Sequence, residues 1–252
     1  MSLRSLHLFA GAGGGLLADL ILGHEPIGYV EIDDYCQRVI ASRIKDGILP
    51  EAPIFGDIRA FNSEGFAGAY TGLVDIISGG FPCQDISVAG KGKGIDGERS
   101  GLWGEMAESV RIIRPKFVFV ENSPMLTSRG LGTVLGDLAR MGFDAKWGVL
   151  SAHETGSPHL RKRMWICAYS DGERWPRRGE GYIKSEQKNG LEPSGLVVSS
   201  KAWETSAEKK SIILGMVDGV ANGMDRIKAV GNGQCPQQAA LAWKIIIGGT
   251  ND

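Results

Sequence analysis

Six apolar runs of about six residues, SLHLF, IGYVEI, LVDIIS, KFVFVE, KWGVLS and MWICAY, alternate with helix-length segments near 14–22, 33–46, 101–113 and 130–141, and this alternation restricts the fold more than any other feature. The runs are continuously apolar, as expected of strands buried on both faces. Strand and helix in repetition imply right-handed crossovers and a doubly wound, mostly parallel α/β sheet covered by helices on both sides. Ligands in such sheets sit at the carboxyl ends of the strands, so residues that follow strands are the candidates for function. The pattern stops at about Ser170, gives way to a polar, Gly- and charge-rich stretch as far as Ala221, and resumes in a last helical segment over about 234–247 that ends at Gly248.

The 252 residues, 42% of them hydrophobic, suffice for one well-packed domain with a small appendage. No apolar stretch approaches the roughly 20 residues that span a bilayer, and the N-terminus lacks the hydrophobic core of a signal peptide, so a cytoplasmic protein is expected. Cys36, Cys83, Cys167 and Cys235 lie far apart with no CxxC pair, which argues against a zinc site or a disulfide framework. Lys plus Arg total 28 against 29 Asp plus Glu, without the basic excess of a protein that coats nucleic acid. The charge is nevertheless uneven. Residues 1–60 hold eight acidic and five basic side chains, whereas residues 159–188 hold eight basic ones and four acidic. That basic end, with Arg174, Arg177 and Arg178, can face phosphates or simply be a solvated loop.

Four strand ends carry polar groups suited to chemistry. LHLFAGAGGG runs from a strand into Gly11, Gly13, Gly14 and Gly15, which permit positive φ and close approach to a ligand at a helix N-terminus. About 20 residues on, Glu31 ends the second strand, where doubly wound folds place a carboxylate for ribose hydroxyls. Asp57 in GDIR stands at a third turn, able to accept a hydrogen bond from an adenine amino group. Together they describe an adenosine site. The glycine spacing misses GxGxxG and no basic residue is there to meet a phosphate, which favours S-adenosyl-methionine over a dinucleotide.

LVDIISGGFPCQDIS ends a buried strand with Cys83 in a glycine-flanked loop. A lone cysteine is ordinarily an inert core residue; a strand-end loop is where a thiolate becomes useful. FVFVENSP places Glu121 and Asn122 after four apolar residues, a costly position for a carboxylate unless it is paired, functional or caps the next turn. In PHLRKRMW, Arg161 and Arg163 alternate as the chain enters a strand, where they can clamp a phosphate or a pyrimidine carbonyl or lie on the surface. AVGNGQCP puts Asn232 between two glycines in a tight turn.

In this order the motifs resemble the DNA cytosine-5 methyltransferase family: FAGAGG (9–14), Glu31, Gly56-Asp57-Ile58, Pro82-Cys83-Gln84, Glu121-Asn122, Arg161-x-Arg163 and Gly231-Asn232, over roughly residues 4–170 and 226–248. The compact form resembles bacteriophage or prophage orphan enzymes, whether or not a restriction enzyme accompanies them. The resemblance implies a Rossmann-like, class I S-adenosyl-methionine-dependent fold, with residues 1–169 and 226–252 forming the catalytic domain and 170–225 a reduced target-recognition region. It implies that Phe9, Ala10, Gly11, Gly13, Gly14, Glu31, Ile32, Asp57, Ile58, Pro82, Leu102 and Asn232 hold the cofactor, which leaves as S-adenosyl-homocysteine, with no metal. Cys83 would add to carbon 6 of cytosine, Glu121 would bond its N3 and amine, and Arg163 its carbonyl, with Arg161 supporting Glu121. Gln84, Ser87, Arg99, Arg174, Arg177 and Arg178 would touch double-stranded DNA, whose target base must be flipped out of the stack.

A monomer acting in a bacterial cytoplasm, on the nucleoid, follows from the same resemblance. Three positions depart from the family pattern: His159 stands for a glutamine, Ile86 for a phenylalanine, and the last motif reads GNGQ where valine is usual in place of Gln234. Because few side chains are left for groove readout, a short or relaxed recognition sequence is expected. An RNA cytosine methyltransferase and an inactive DNA-binding homologue are the alternatives. A Rossmann-type oxidoreductase fits less well, because the glycine spacing is wrong.

Overall fold

The apolar runs become strands because continuous β-branched and aromatic character suits a sheet covered on both sides. The computed structural model describes residues 2–82, 101–157, 160–170 and 233–248. Among them run β1 (Arg4–Leu8), α1 (Gly14–Leu22), β2 (Glu25–Val30), α2 (Asp34–Lys45), β3 (Ile54–Phe55), α3 (Ile58–Ser63), β4 (Ile76–Gly79), α4 (Leu102–Ile113), β5 (Phe117–Asn122), α5 (Leu126–Arg129), α6 (Leu131–Arg140), β6 (Phe143–Ser151), β7 (Lys162–Ser170) and α7 (Pro236–Gly248). None of these helices is long and apolar enough to cross a membrane.

The seven-stranded sheet has the order β3-β2-β1-β4-β5-β7-β6. The β3–β2, β2–β1, β1–β4 and β4–β5 pairs are parallel, whereas β7 runs antiparallel to both neighbours. The mostly parallel, doubly wound expectation therefore holds, with β3 and α3 added to it. From β1 the chain winds outward through β2 and β3, then returns to place β4 on the other side of β1. This reversal of winding opens a crevice at the carboxyl ends of β1 and β4. Two details differ from the sequence reading. Strand β6 is an edge strand with a mixed burial pattern, not one buried on both faces, because only β7 flanks it. Leu73 stays 47% exposed ahead of β4, since the strand begins only at Ile76.

The larger core cluster joins Leu6, Leu8, Ile77, Val118 and Val120 of the sheet to Trp103, Met106 and Val110 of α4 and Val134 and Leu138 of α6. On the opposite side, α7 lays Ala239, Ala242, Trp243 and Ile246 over Ile76, Phe119 and Trp165. Phe119 stacks on Trp165 at 5.2 Å and meets Trp243 edge-on at 5.3 Å. Such aromatic pairs add about 0.5–1.5 kcal/mol each beyond their buried area. They fix α7, and with it the turn that precedes it, against the sheet.

Beneath α1 lies a buried polar cluster. Asp19 accepts a hydrogen bond from Ser5 Oγ, meets His7 Nε2 at 2.7 Å and faces His24 Nδ1 at 3.6 Å. Burial alone would push the Asp19 carboxyl up, but His7, the hydrogen bonds from Ser5 and His7 and the nearby His24 ring outweigh it and hold the group far below its ordinary value of 3.8. A depressed carboxylate stabilises the fold above that ordinary value, and its contribution is lost as pH falls toward the folded-state value. Asp19→Asn is accordingly expected to lower the unfolding free energy by about 3–5 kcal/mol near pH 7, because the donors of Ser5 and His7 keep their burial and lose a charged acceptor. Urea unfolding at pH 7 and at pH 3 checks this, since the difference between the two proteins should shrink at the lower pH.

Candidate active site

At the carboxyl end of β1 the backbone turns sharply enough that Phe9 takes a φ of 56°, with Gly11 at 55° and Gly13 at 92°. A non-glycine residue in this region is strained, and such strain concentrates at functional turns. The turn is closed from the next strand. Gly11 N–H donates to Glu31 Oε2 at 2.6 Å, and Asp33 N–H donates to Glu31 Oε1 at 2.8 Å. Gln37 Nε2 donates to the Glu31 carbonyl at 2.6 Å. Glu31 is only 8% exposed, yet a carboxylate holding one N–H on each oxygen keeps lone pairs for further donors such as ribose hydroxyls. Ile32 beside it is 66% exposed, an apolar surface suited to a flat base.

Asp57 caps α3 by accepting Arg59 N–H at 2.9 Å, and Arg59 Nη1 stands 3.6 Å from its other oxygen. Ile58, expected among the cofactor contacts, follows Asp57 at the start of α3 with its side chain in the core cluster that includes Phe61 and Tyr70. The reason is local: as the first residue of α3 it faces inward while Asp57 stays at the edge. Phe9 and Leu102 are partly buried against the main core, Ala10 lies partly buried against Leu16 and Tyr29, and Pro82 is half-buried.

The other half of the crevice is built from β4, β5 and β7. Glu121 ends β5 at 8% exposure, and Arg163 Nε meets its Oε1 at 2.7 Å. Burial pushes the Glu121 carboxyl above its ordinary value of 4.5 even though the charges of Arg163 and Arg161 pull the other way. The sequence reading gave Arg161 the supporting role. In the structure Arg163 makes the direct ion pair, while Arg161 acts on Glu121 through its charge and donates to the Gly233 carbonyl at 2.5 Å. Arg161 stands just before β7 and Arg163 is its second residue, so both lie at the amino end of their strand and not at its carboxyl end. They reach this edge because β7 runs antiparallel, placing Met164 opposite Asn122 at the carboxyl end of β5.

Gly80 fits the same corner closely. A Cβ there would lie 2.7 Å from Glu121 Oε2, so any side chain would displace the carboxylate. Asn122 Nδ2 donates to the Phe81 carbonyl at 3.1 Å, tying the chain two residues before Cys83 to the strand that carries Glu121. Cys83, Gln84, Ser87, Arg99, Arg174, Arg177, Arg178 and Asn232 lie outside the described residues. Of the other cysteines, Cys36 and Cys167 are buried, and burial pushes the Cys167 thiol far up, which makes it a poor nucleophile.

Sequence reasoning named Asn232 in the turn before α7 but gave Gln234 no role. The Gln234 backbone carbonyl occupies the space that a Cβ on Gly14 would need, so only glycine fits there. Its side-chain Oε1 lies 2.6 Å from the corresponding point on Gly15. The departure from valine in GNGQ was the available signal. Glycines without side chains on one wall, spare carboxylate lone pairs on Glu31 and an apolar shelf at Ile32 together fit an adenosyl amino acid.

The sequence matches the family model for C-5 cytosine-specific DNA methylase over residues 3–218. Among curated proteins, the type II methyltransferase M.HhaI of Haemophilus parahaemolyticus is 34% identical over 174 residues, 67% of this chain and 50% of that protein. The type II methyltransferase M.CviJI of Paramecium bursaria Chlorella virus IL3A is 32% identical over 169 residues, 66% of this chain and 43% of the relative. The chain thus spans about half the length of the curated relatives it matches. Among solved structures, the Entamoeba histolytica methyltransferase EhMeth superposes with a TM-score of 0.66 at 14% identity, covering 100% of both chains. The S. pombe Dnmt2 methyltransferase gives 0.54 at 18% identity, covering 73% of this chain and 52% of the other. These two likenesses concern the fold.

Proposed function

The chain belongs to the C-5 cytosine-specific DNA methylase family, and from that premise we propose that it transfers a methyl group from S-adenosyl-methionine to carbon 5 of cytosine in double-stranded DNA, through a covalent bond from Cys83 to carbon 6 of a flipped-out base. The observation that carries this reading is the convergence at one reversal of winding: the Gly11–Glu31 hydrogen bond on the β1 side and the buried Glu121–Arg163 pair on the β4 side.

The residues divide the work. Glu31 and Asp57 would hold the ribose and adenine, with Ile32 under the base and Gly11, Gly13 and Gly14 admitting the amino-acid end. When bound, S-adenosyl-methionine supplies an electrophilic methyl carbon on a sulfonium. Carbon 5 of cytosine is too weak a nucleophile to take that methyl unaided. Cys83 Sγ, as thiolate, would form a bond to carbon 6, and the displaced electron pair makes carbon 5 nucleophilic. Glu121, whose carboxyl burial keeps ready to hold a proton, would donate to N3 as negative charge grows there. Arg163 spends Nε on Glu121 and Nη1 on the Lys162 carbonyl at 2.9 Å, which leaves donors for the cytosine carbonyl. Carbon 5 takes the methyl, then loses its proton; the electrons of that C–H bond rebuild the ring double bond and expel Cys83 as thiolate.

The DNA surface falls to Gln84, Ser87, Arg99 and the basic stretch with Arg174, Arg177 and Arg178. Reversing the charge of those last three is expected to weaken DNA binding and flatten its salt dependence, the slope falling by about 0.9 for each phosphate that is no longer neutralised. A titration of duplex DNA at several salt concentrations checks it, and an unchanged slope removes the segment from the interface. The reaction itself is tested with labelled S-adenosyl-methionine offered with duplex DNA or with transfer RNA. Label in the DNA alone is expected; label in the RNA alone would replace this reading with the RNA one.

A further inference from the structure

The turn before α7 brings one polar side chain into the middle of the crevice, and nothing in the mechanism above uses it. The Gln234 backbone lies against Gly14, the first residue of α1, so closely that a Cβ on Gly14 would collide with its carbonyl oxygen and fall 3.1 Å from its nitrogen. Its side chain extends from the glycine loop toward the acid pocket. Oε1 lies 2.6 Å from the Cβ position of Gly15, and Nε2 lies 3.6 Å from that of Gly80, where Glu121 Oε2 stands at 2.7 Å. Gln234 therefore sits between the adenosine half of the crevice and the Glu121 half.

Oε1 is buried and has no hydrogen-bond partner among the described residues. A buried amide oxygen without a donor costs about 1–3 kcal/mol, so a polar acceptor at this place needs a donor to justify it. The neighbouring carboxylates have other work: Glu31 takes Gly11 and Asp33 N–H and keeps its remaining lone pairs for the ribose, and Glu121 pairs with Arg163 on the side of the base. The loop side of the crevice offers backbone N–H groups at the start of α1, which suit a carboxylate. On this side of the crevice, among the described residues, the buried acceptor that stands without a donor is Gln234 Oε1.

We infer that the Gln234 carboxamide oxygen accepts a hydrogen bond from the α-ammonium of S-adenosyl-methionine and so holds the amino-acid end of the cofactor between the glycine loop and Gly80. This rests on the adenosyl-methionine reading of the site and adds to it a residue that the resemblance did not supply, since valine is usual at this position.

The test is calorimetric binding to the full chain, with no turnover required. S-adenosyl-homocysteine carries the ammonium; 5′-methylthioadenosine has the same adenosine and sulfur but no amino acid. Gln234→Met keeps the length of the side chain and removes the acceptor. It should weaken S-adenosyl-homocysteine by at least about tenfold and leave 5′-methylthioadenosine within about twofold. Gln234→Glu keeps an oxygen in place and should bind S-adenosyl-homocysteine at least as tightly as the parent. Loss of both ligands in both variants, or no loss of either in Gln234→Met, overturns the inference. If the parent chain itself fails to bind S-adenosyl-homocysteine, the adenosyl-methionine reading falls and this inference with it.

Discussion

Glu121→Gln is expected to slow methyl transfer by about 10²–10³-fold while S-adenosyl-homocysteine binds within about twofold of the parent. The amide keeps the shape of the side chain and can still donate to N3. It cannot hold a labile proton there, and it faces Arg163 Nε at 2.7 Å without a charge. Because burial raises the Glu121 carboxyl above 4.5, the parent should lose rate as pH rises through that raised value and the donor proton departs. The variant should lack this limb of the profile. Its stability should not fall, because a carboxyl with a raised folded-state value destabilises the fold whenever it is ionised, and the amide removes that cost. Single-turnover rates against pH, beside a melting curve, separate these effects. A collapse of cofactor affinity in the variant would instead place Glu121 in the adenosine half of the crevice and undo the assignment.

What was legible in the sequence was whatever a run of apolar residues can signal. Helix α1 runs from Gly14 to Leu22 as expected, and α4 and α6 begin and end within a residue of their expected bounds. Strand β3 was missed because Ile54–Phe55 is too short to show a period, and α3 because six residues make fewer than two helical turns. Strand direction leaves no trace in composition, so nothing in PHLRKRMW announced that β7 would run backwards and deliver Arg163 to Glu121.

The site residues divide in the same way. Glu31 and Glu121 stood out because a carboxylate after a buried strand must be paired or used. The burial of the Ile58 side chain beside an only half-buried Asp57 was not legible, since which way adjacent residues face at a helix start depends on the packing of α3. Gln234 gained its meaning only when the sheet order brought the start of α7 against α1, more than 200 positions earlier in the chain.

The central claim is that Cys83 forms a bond to the base, and its removal should have the largest effect of all. Cys83→Ser replaces a thiol with a hydroxyl, which is intrinsically far harder to ionise and a weaker nucleophile, so methyl transfer is expected to fall by at least about 10³-fold. The direct measurement uses duplex DNA with 5-fluorocytosine in place of cytosine and labelled S-adenosyl-methionine. Fluorine cannot leave as the proton does, so the adduct should persist after the methyl has moved. A stable complex carrying label, mapped by peptide mass to Cys83 and absent from Cys83→Ser, is the predicted result; an equal yield of complex from Cys83→Ser, or none from an active parent enzyme, would contradict it.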